Sequence, residues 1–410
     1  MLQTSSILRA ATGIAVAAFM TPSLAGCSGA THALPGGIAA AAQSRQTANA
    51  YNARLLAIPN ASNFIREAQR RGASHDAIRS DAGTKCLKNV YIYTSENITG
   101  DLDVFCEDAT KKAQNTLVSS APGKAGFGLA VTPDNLPNVP TAPCSNGSSQ
   151  ELLAAGTDTG TINIYCNLAS GAGYVLLNTL TLPAGDALGI CWDETGGIYA
   201  TEWPNATIAH FTESQVIGPA GPPTTLNPNV NVVEYHLACD YDKLVLKGKP
   251  KGENYLMAYG FDANYNVNIT NVNTTSGSEA VEQTLGNYSA GTGFPGGLAL
   301  DRRDDLAAND QYGTMYWFNP ELWNTPPRGA CTWGFNPNDY TNIVFDDAQN
   351  EIWAANVHFV SSILTTYGQS NRFPFGSGAC GTGSSGYQTS HPIAGEQENL
   401  GIAVWPNRGV

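Results

Sequence analysis

The chain has 410 residues, with 21 basic against 34 acidic side chains and a net charge of −13. So acidic a protein lacks the basic stripe of a nucleic-acid binder, and that class is set aside. Neither an amphipathic helix nor a coiled-coil pattern supplies a dedicated assembly element.

Taken from the first residue, Arg9 is followed by a short apolar run from Ala10 to Met20 and then by Leu24-Ala-Gly-Cys27. The run is too short to cross a bilayer and reads as a signal. Leu24 to Cys27 resembles the lipobox of bacterial lipoproteins. That resemblance implies a signal peptide over 1–26, a lipidated Cys27, and a chain held at the cell envelope on its periplasmic or extracellular side. A plain secretory signal cleaved near Ala25 is the competing reading.

Residues 27–85 read as the lipidated cysteine and a flexible tether, rich in Ala, Gly, Ser and Gln. Seven basic and three acidic side chains give 28–85 a charge of +4, which leaves −18 on 86–410. A basic tether beside a lipid anchor suits anionic headgroups, with the acidic body standing off. An ordinary solvated linker with a short helix from Asn63 to Arg71 fits the same residues.

From Val90 the pattern changes to strands. A hairpin, Val90-Tyr-Ile-Tyr and Leu102-Asp-Val-Phe, precedes a five-residue phrase that recurs six times, starting at Gly128, Gly189, His236, Gly297, Asn342 and Gly401. The intervals run from 45 to 61 residues, a period that suits a propeller blade. The second place is always Leu or Ile and the third always small: Ala130, Cys191, Ala238, Ala299, Val344 and Ala403. The apolar run reads as a strand buried on both faces. The small column reads as one that points at a crowded central axis.

Strand, polar turn and strand follow each phrase, as in Ile198-Tyr-Ala-Thr and Ala206-Thr-Ile-Ala-His-Phe. The unit at Gly297 is the least regular, because Asp305 to Asp310 is polar for a strand. The last phrase has no hairpin after it, and the first hairpin has no phrase before it. The C-terminal strand therefore completes the N-terminal blade and shuts the ring. An all-β, six-bladed β-propeller over 86–410 is the expected fold. The phrase and its following strands resemble the blades of NHL and gluconolactonase (SMP-30-like) propellers.

Setting Cys27 aside leaves eight cysteines, an even number in an exported chain, which points to disulfides. Cys86 with Cys106, and Cys144 with Cys166, bracket hairpins. Cys191 and Cys239 lie in innermost strands of neighbouring blades, and Cys331 with Cys380 remains. No Cys-x-x-Cys spacing supports zinc. Seven Asn-x-Ser/Thr sequons are about the number that chance gives so Asn-rich a chain.

Chemistry is expected on the face where the turns before the innermost strands meet those between second and third strands. The ligand-binding candidates there are Asp186, Glu234, Tyr235, His236, Asp339, Tyr340, Glu398, Asn399, Trp203 and His358. Glu96, Asp158, Glu202, Asp262, Asp310 and Tyr312 fall in the same turns. Carboxylates and amide oxygens suit calcium or another hard divalent cation, and aromatics between acids suit a glycan or protein partner.

The gluconolactonase resemblance implies one axial divalent ion that polarises a lactone or ester. Glu234, Asp186, Glu398 and Asn399 are its candidate ligands, with Asp339 beside them. The family's Glu-Gly-Pro start and Asn-Gly ligand turn are absent from the matching places. No nucleophile elbow, zinc-protease motif or phosphate loop occurs, and no catalytic residue is assigned. The leading expectation is a lipid-anchored, non-catalytic propeller that binds a protein, glycan or ion. The alternative is a metal-dependent lactonase or esterase.

Overall fold

The computed structural model describes residues 91–96, 100–106, 115–118, 125–132, 152–157, 159–167, 174–203, 205–226, 233–239, 254–287, 295–300, 306–310, 314–318, 331–332, 338–346, 351–360, 365–374, 388–392 and 399–405. The signal segment, Cys27 and the tether lie outside them. The described strands form six four-stranded antiparallel sheets. The arrangement is a β-propeller.

Blade 1 holds β1 (Tyr91–Glu96), β2 (Leu102–Cys106) and β3 (Asn115–Val118), with β24 (Asn399–Trp405) as its innermost strand. Blade 2 is β4 (Ala125–Val131), β5 (Leu152–Thr157), β6 (Thr161–Asn167) and β7 (Tyr174–Thr181). Blade 3 is β8 (Ile190–Trp192), β9 (Ile198–Thr201), β10 (Ile208–Phe211) and β11 (Thr224–Leu226), with a short helix α1 (Glu213–Ile217) before its outer strand. Blade 4 is β12 (Val233–Cys239), β13 (Tyr255–Phe261), β14 (Asn266–Asn273) and β15 (Glu279–Asn287). Blade 5 is β16 (Pro295–Leu300), β17 (Leu306–Asp310), β18 (Thr314–Phe318) and β19 (Cys331–Thr332). Blade 6 is β20 (Asn338–Asp346), β21 (Glu351–Val360), β22 (Thr365–Pro374) and β23 (Gln388–Pro392).

Closure follows the expectation. β24 pairs antiparallel with β1, Thr94 opposite Ile402 and Tyr91 opposite Trp405. Ends of the chain distant in sequence thus share one blade, and the terminal strand is paired within the ring rather than left free.

Inter-blade packing explains the columns of the repeated phrase, and it corrects one expectation. The third-column side chains border the axial channel, as do the second and fourth columns, but what they pack against is the next blade. Cys191 packs with Leu237 and Cys239, Ala238 with Leu298 and Leu300, and Ala403 with Leu129 and Val131. Val344 lies against Ile402 and Val404. Each small side chain therefore meets the large second and fourth columns of its neighbour, and the crowding lies between adjacent inner strands. Trp192 and Trp353 are fully buried at two of these interfaces, where truncation to Ala costs about 3–5 kcal/mol.

The first column obeys the same contact. A Cβ on Gly189 would sit 2.7 Å from the Cα of His236, and one on Gly297 would sit 2.8 Å from the Cα of Asn342. Two inner strands approach too closely there for any side chain. The freed backbone N–H groups are taken up from the second strand. Thr201 Oγ1 accepts from Gly189, Asn309 Oδ1 from Gly297 and Ser95 Oγ from Gly401, at 2.7 to 3.0 Å.

The Gly297 unit is a regular blade after all: β17 is a strand, buried along its length. Its polar residues are accommodated because Asn309 bonds Gly297 and because Asp310 Oδ1 accepts from the Thr314 N–H at 2.8 Å. Blade 3 is tied to blade 2 through Asn178, whose amide donates to the carbonyls of Gln215, Val216 and Gly218 at the end of α1. Those are carbonyls that a helix end leaves unpaired.

Candidate functional site

The sheet registers place most of the sequence candidates at equivalent positions. Four innermost strands, β12, β16, β20 and β24, carry a one-residue register shift just before the first column. It leaves Tyr235 unpaired in β12, Gly296 in β16, Thr341 in β20 and Leu400 in β24. Bulges of this kind bend a strand at a rim and re-aim the residues beside it. Immediately outside each bulge, and at the matching place before β8, stands one residue paired with the end of the second strand. These pairs are Asp186 with Trp203, Glu234 with Gly260, Pro295 with Asp310, Tyr340 with Asn356 and Asn399 with Glu96.

Asp186, Glu234, Tyr340 and Asn399 therefore share one position on the rim where the inner strands begin, called the upper rim below. Several candidates expected in loops are instead strand residues. Glu234 and Tyr235 belong to β12, Asp339 and Tyr340 to β20, and Asn399 to β24. His358, expected in a hairpin turn, lies inside β21, opposite Asn338 and Tyr367. Glu398, Asp158 and Tyr312 lie outside the described residues.

Some upper-rim groups are occupied structurally. The backbones of Asp186 and Trp203 exchange two hydrogen bonds of 2.7 and 3.0 Å. Glu202 is buried, and its Oε1 accepts from the Ala184 N–H. The Asp262 carboxylate accepts from the N–H groups of Asn264 and Asn266 and from the Asn266 amide, closing its own turn. That turn holds Tyr265 at φ 62°, a left-handed conformation that costs a tyrosine on the order of 1 kcal/mol. The strained rim aromatic is not marked in the sequence, since the left-handed position itself is held by a tyrosine between Asn264 and Asn266 and not by a glycine.

Inside the rim, the six innermost strands enclose a channel of about 90 Å³. Among the described residues its lining side chains are Leu, Ile, Val, Ala, Phe and Cys together with His236 and Asn342, and the backbone of the inner strands adds polar surface. Water fills about 30 Å³ per molecule, so the channel has room for roughly three. Pockets that engulf a drug-sized ligand are about 300 Å³ or more. Among the described residues no three His, Cys, Asp or Glu side chains converge as a metal cluster.

The opposite rim carries a different kind of site. Asp193 ends the β8 phrase, and its Oδ1 accepts from Thr195 N, Thr195 Oγ1 and Gly197 N at 2.7 to 2.8 Å. Its Oδ2 lies 2.8 Å from His210 Nε2, and the His210 ring stacks on Tyr199 with centroids 4.2 Å apart. Burial raises the Asp193 pKa, but the hydrogen bonds from His210, Thr195 and Gly197 outweigh it and hold the carboxyl below its usual range. Asp193 opens the turn from β8 to β9, and His210 of β10 closes it from the side.

A disulfide joins Cys191 to Cys239, as their place in neighbouring inner strands suggested, with Cα atoms 5.7 Å apart. Cys166 is also disulfide-bonded. The side chains of Cys106 and Cys331, and Cys27, Cys86, Cys144 and Cys380 altogether, lie outside the description, so their pairings stay as expected from sequence.

No protein-family model matches the chain, and no curated protein is similar to it in sequence. Solved structures similar to it include a proposed 6-phosphogluconolactonase from Bacteroides fragilis NCTC 9343, at 10% identity and a TM-score of 0.45, over 77% of this chain and 97% of that one. A second proposed 6-phosphogluconolactonase, from Bacteroides uniformis ATCC 8492, shares 11% identity at a TM-score of 0.47, over 74% and 83%. TolB from Acinetobacter baumannii shares 11% identity at 0.48, over 77% of this chain and 66% of its own. At such identities the likeness extends to the β-propeller arrangement and no further.

Proposed function

We infer that this chain is a lipid-anchored, extracytoplasmic propeller that binds a protein or glycan of the cell envelope through its upper rim and catalyses no reaction. One observation carries the reading: the axial channel is narrow, while the starts of the inner strands bring Asp186, Glu234, Tyr340 and Asn399 to one rim. A binding module needs a presented face, and a hydrolase of this architecture needs a roomy axial pocket. The lipobox-like Leu24 to Cys27 supports the anchor, and the Cys191–Cys239 disulfide is at home in an oxidising compartment.

The competing reading is an axial-metal lactonase or esterase of the SMP-30-like kind, which would use Glu234, Asp186, Glu398 and Asn399. Titration of the full-length protein with calcium and manganese by calorimetry, alongside a panel of lactones, separates the two. The binding reading expects no lactone turnover that depends on the added metal and disappears in Glu234→Ala and Glu398→Ala. Such turnover would establish the lactonase instead. Cys27→Ser is expected to release the chain from membranes, which detergent fractionation reads directly.

A further inference from the structure

Between blades 4 and 5, beneath the upper rim, lies a polar set buried in an otherwise apolar contact. Tyr259 stands directly across β12 and β13 from His236, and both side chains are buried. Tyr259 faces blade 5, packed among Leu298, Tyr316 and Phe318. On blade 5, Asp310 is 2% exposed, its Oδ1 held by the Thr314 N–H and its Oδ2 3.4 Å from the Tyr316 hydroxyl that donates to it.

The Tyr259 hydroxyl is fully buried and has no hydrogen-bond partner. A polar group in that condition ordinarily destabilises the fold, and native structures keep few without a reason. Tyr259 and Tyr316 pack in one buried cluster that spans the two blades. Burial, then the Asp310 charge, then Tyr316 hold the proton affinity of Tyr259 well above the usual phenol range. Burial and then Asp310 push Tyr316 up to about 12. Both phenols therefore stay neutral and offer oxygen lone pairs beside a carboxylate.

We propose that Tyr259, Asp310 and Tyr316 form an interblade site for a monovalent metal cation of the sodium or potassium type. Phenol and carboxylate oxygens are hard donors, which suit such an ion and repel an anion. A single carboxylate with two neutral phenols matches one positive charge; a divalent ion would leave excess charge buried at heavy cost. The cation would satisfy the Tyr259 oxygen and join blade 4 to blade 5 beside the wall residue His236. This site is separate from the axial one that the lactonase reading requires, and it stands or falls independently of the function proposed above.

Thermal unfolding of the full-length protein tests it, with potassium or sodium raised from about 1 to about 100 mM and tetramethylammonium holding the ionic strength constant. Binding to the folded state alone is expected to raise the wild-type Tm by about 3 °C or more over that range, with a flat response in Tyr259→Phe and Asp310→Asn. Crystals soaked in rubidium or thallium should show an anomalous peak within coordination distance of the Tyr259 and Asp310 oxygens. A flat wild-type response overturns the proposal, and so does a response that survives in Tyr259→Phe. A Tyr259→Phe protein more stable than wild type at every salt composition would show the hydroxyl to be a plain packing defect, which also overturns it.

Discussion

Blade 4 meets its two neighbours in different ways. Toward blade 3 it is fastened by the Cys191–Cys239 disulfide, by the Asn254 amide donating to Glu194, and by Tyr199 of blade 3, whose hydroxyl bonds Thr274. The Asp193 turn beside them has its acceptors filled. Toward blade 5 it presents a larger apolar contact, Met257, Tyr259, Val267 and Ile269 against Leu298, Leu306, Tyr316 and Phe318, with a buried hydroxyl left over. One interface is held by covalent and hydrogen bonds, with the Asn254 Oδ1 unpartnered beside them. The other rests on packing and carries the unpartnered Tyr259 hydroxyl. Position within a regular ring thus does not fix what an interface does; the few polar residues set into it do.

That contrast is most sharply broken by removing the disulfide. It closes a loop with a sequence separation of 48 residues, so Cys191→Ala with Cys239→Ala is expected to cost about 3–4 kcal/mol. Denaturant unfolding should show the midpoint falling and the slope rising, as the unfolded chain loses its cross-link and exposes more surface. Next comes crowding at the axis. Gly189→Ala or Gly297→Ala drives a Cβ against the backbone of the next inner strand, and about 2–3 kcal/mol of overpacking is expected. Gly221, whose added Cβ would touch only the Gln215 side chain at 3.4 Å, is the control that should tolerate Ala.

Smaller and dependent on pH is the Asp193 turn. Its folded-state pKa lies below the unfolded one, so its contribution is present above the ordinary aspartate pKa of about 3.9 and is lost as pH falls through the depressed value. Asp193→Asn should therefore be less stable than wild type by about 1–2 kcal/mol near neutrality. The gap should shrink as the pH drops below about 4. A gap that stays constant down to the acid transition would mean that the carboxylate charge has no part in the clamp. Thr201→Val removes the acceptor of both Leu188 and Gly189 N–H groups, and about 1 kcal/mol is expected. Its effect should be confined to exchange of those amides in hydrogen-exchange measurements.

The ring itself was legible because repetition averages over local ambiguity. Six copies of one phrase announce six inner strands, and the unmatched hairpin and unmatched phrase at the two ends announce their pairing in blade 1. What the columns mean was less legible. A small residue at the third place fits an axial collision as well as a lateral one, and only the alternation of faces in the packed ring decides for the lateral one. The polarity of Asn309 and Asp310 argued against a strand because sequence shows a polar side chain without its partner. The partners, the Gly297 and Thr314 N–H groups, come from neighbouring strands and become visible only after folding.

Candidates on the upper rim were found by counting turns; the register sets Glu234, Tyr340 and Asn399 in the starts of inner strands and His358 inside β21. The strained Tyr265 and the buried Tyr259 were missed for one reason. Backbone strain and an orphaned hydroxyl are properties of an assembled environment, and a tyrosine in a run such as Tyr255-Leu-Met-Ala-Tyr259 reads as ordinary core.

The central claim, that the upper rim is a recognition face, is met most directly by site-specific photo-crosslinking in intact cells. A crosslinker at Glu234 on the upper rim is compared with one at Ser276, an exposed residue in the turn between β14 and β15 on the opposite side of the blade. The account predicts one discrete adduct from position 234, reproduced from Asn399, and none from position 276. Adducts of equal yield from both faces, or an adduct from position 276 alone, would contradict it.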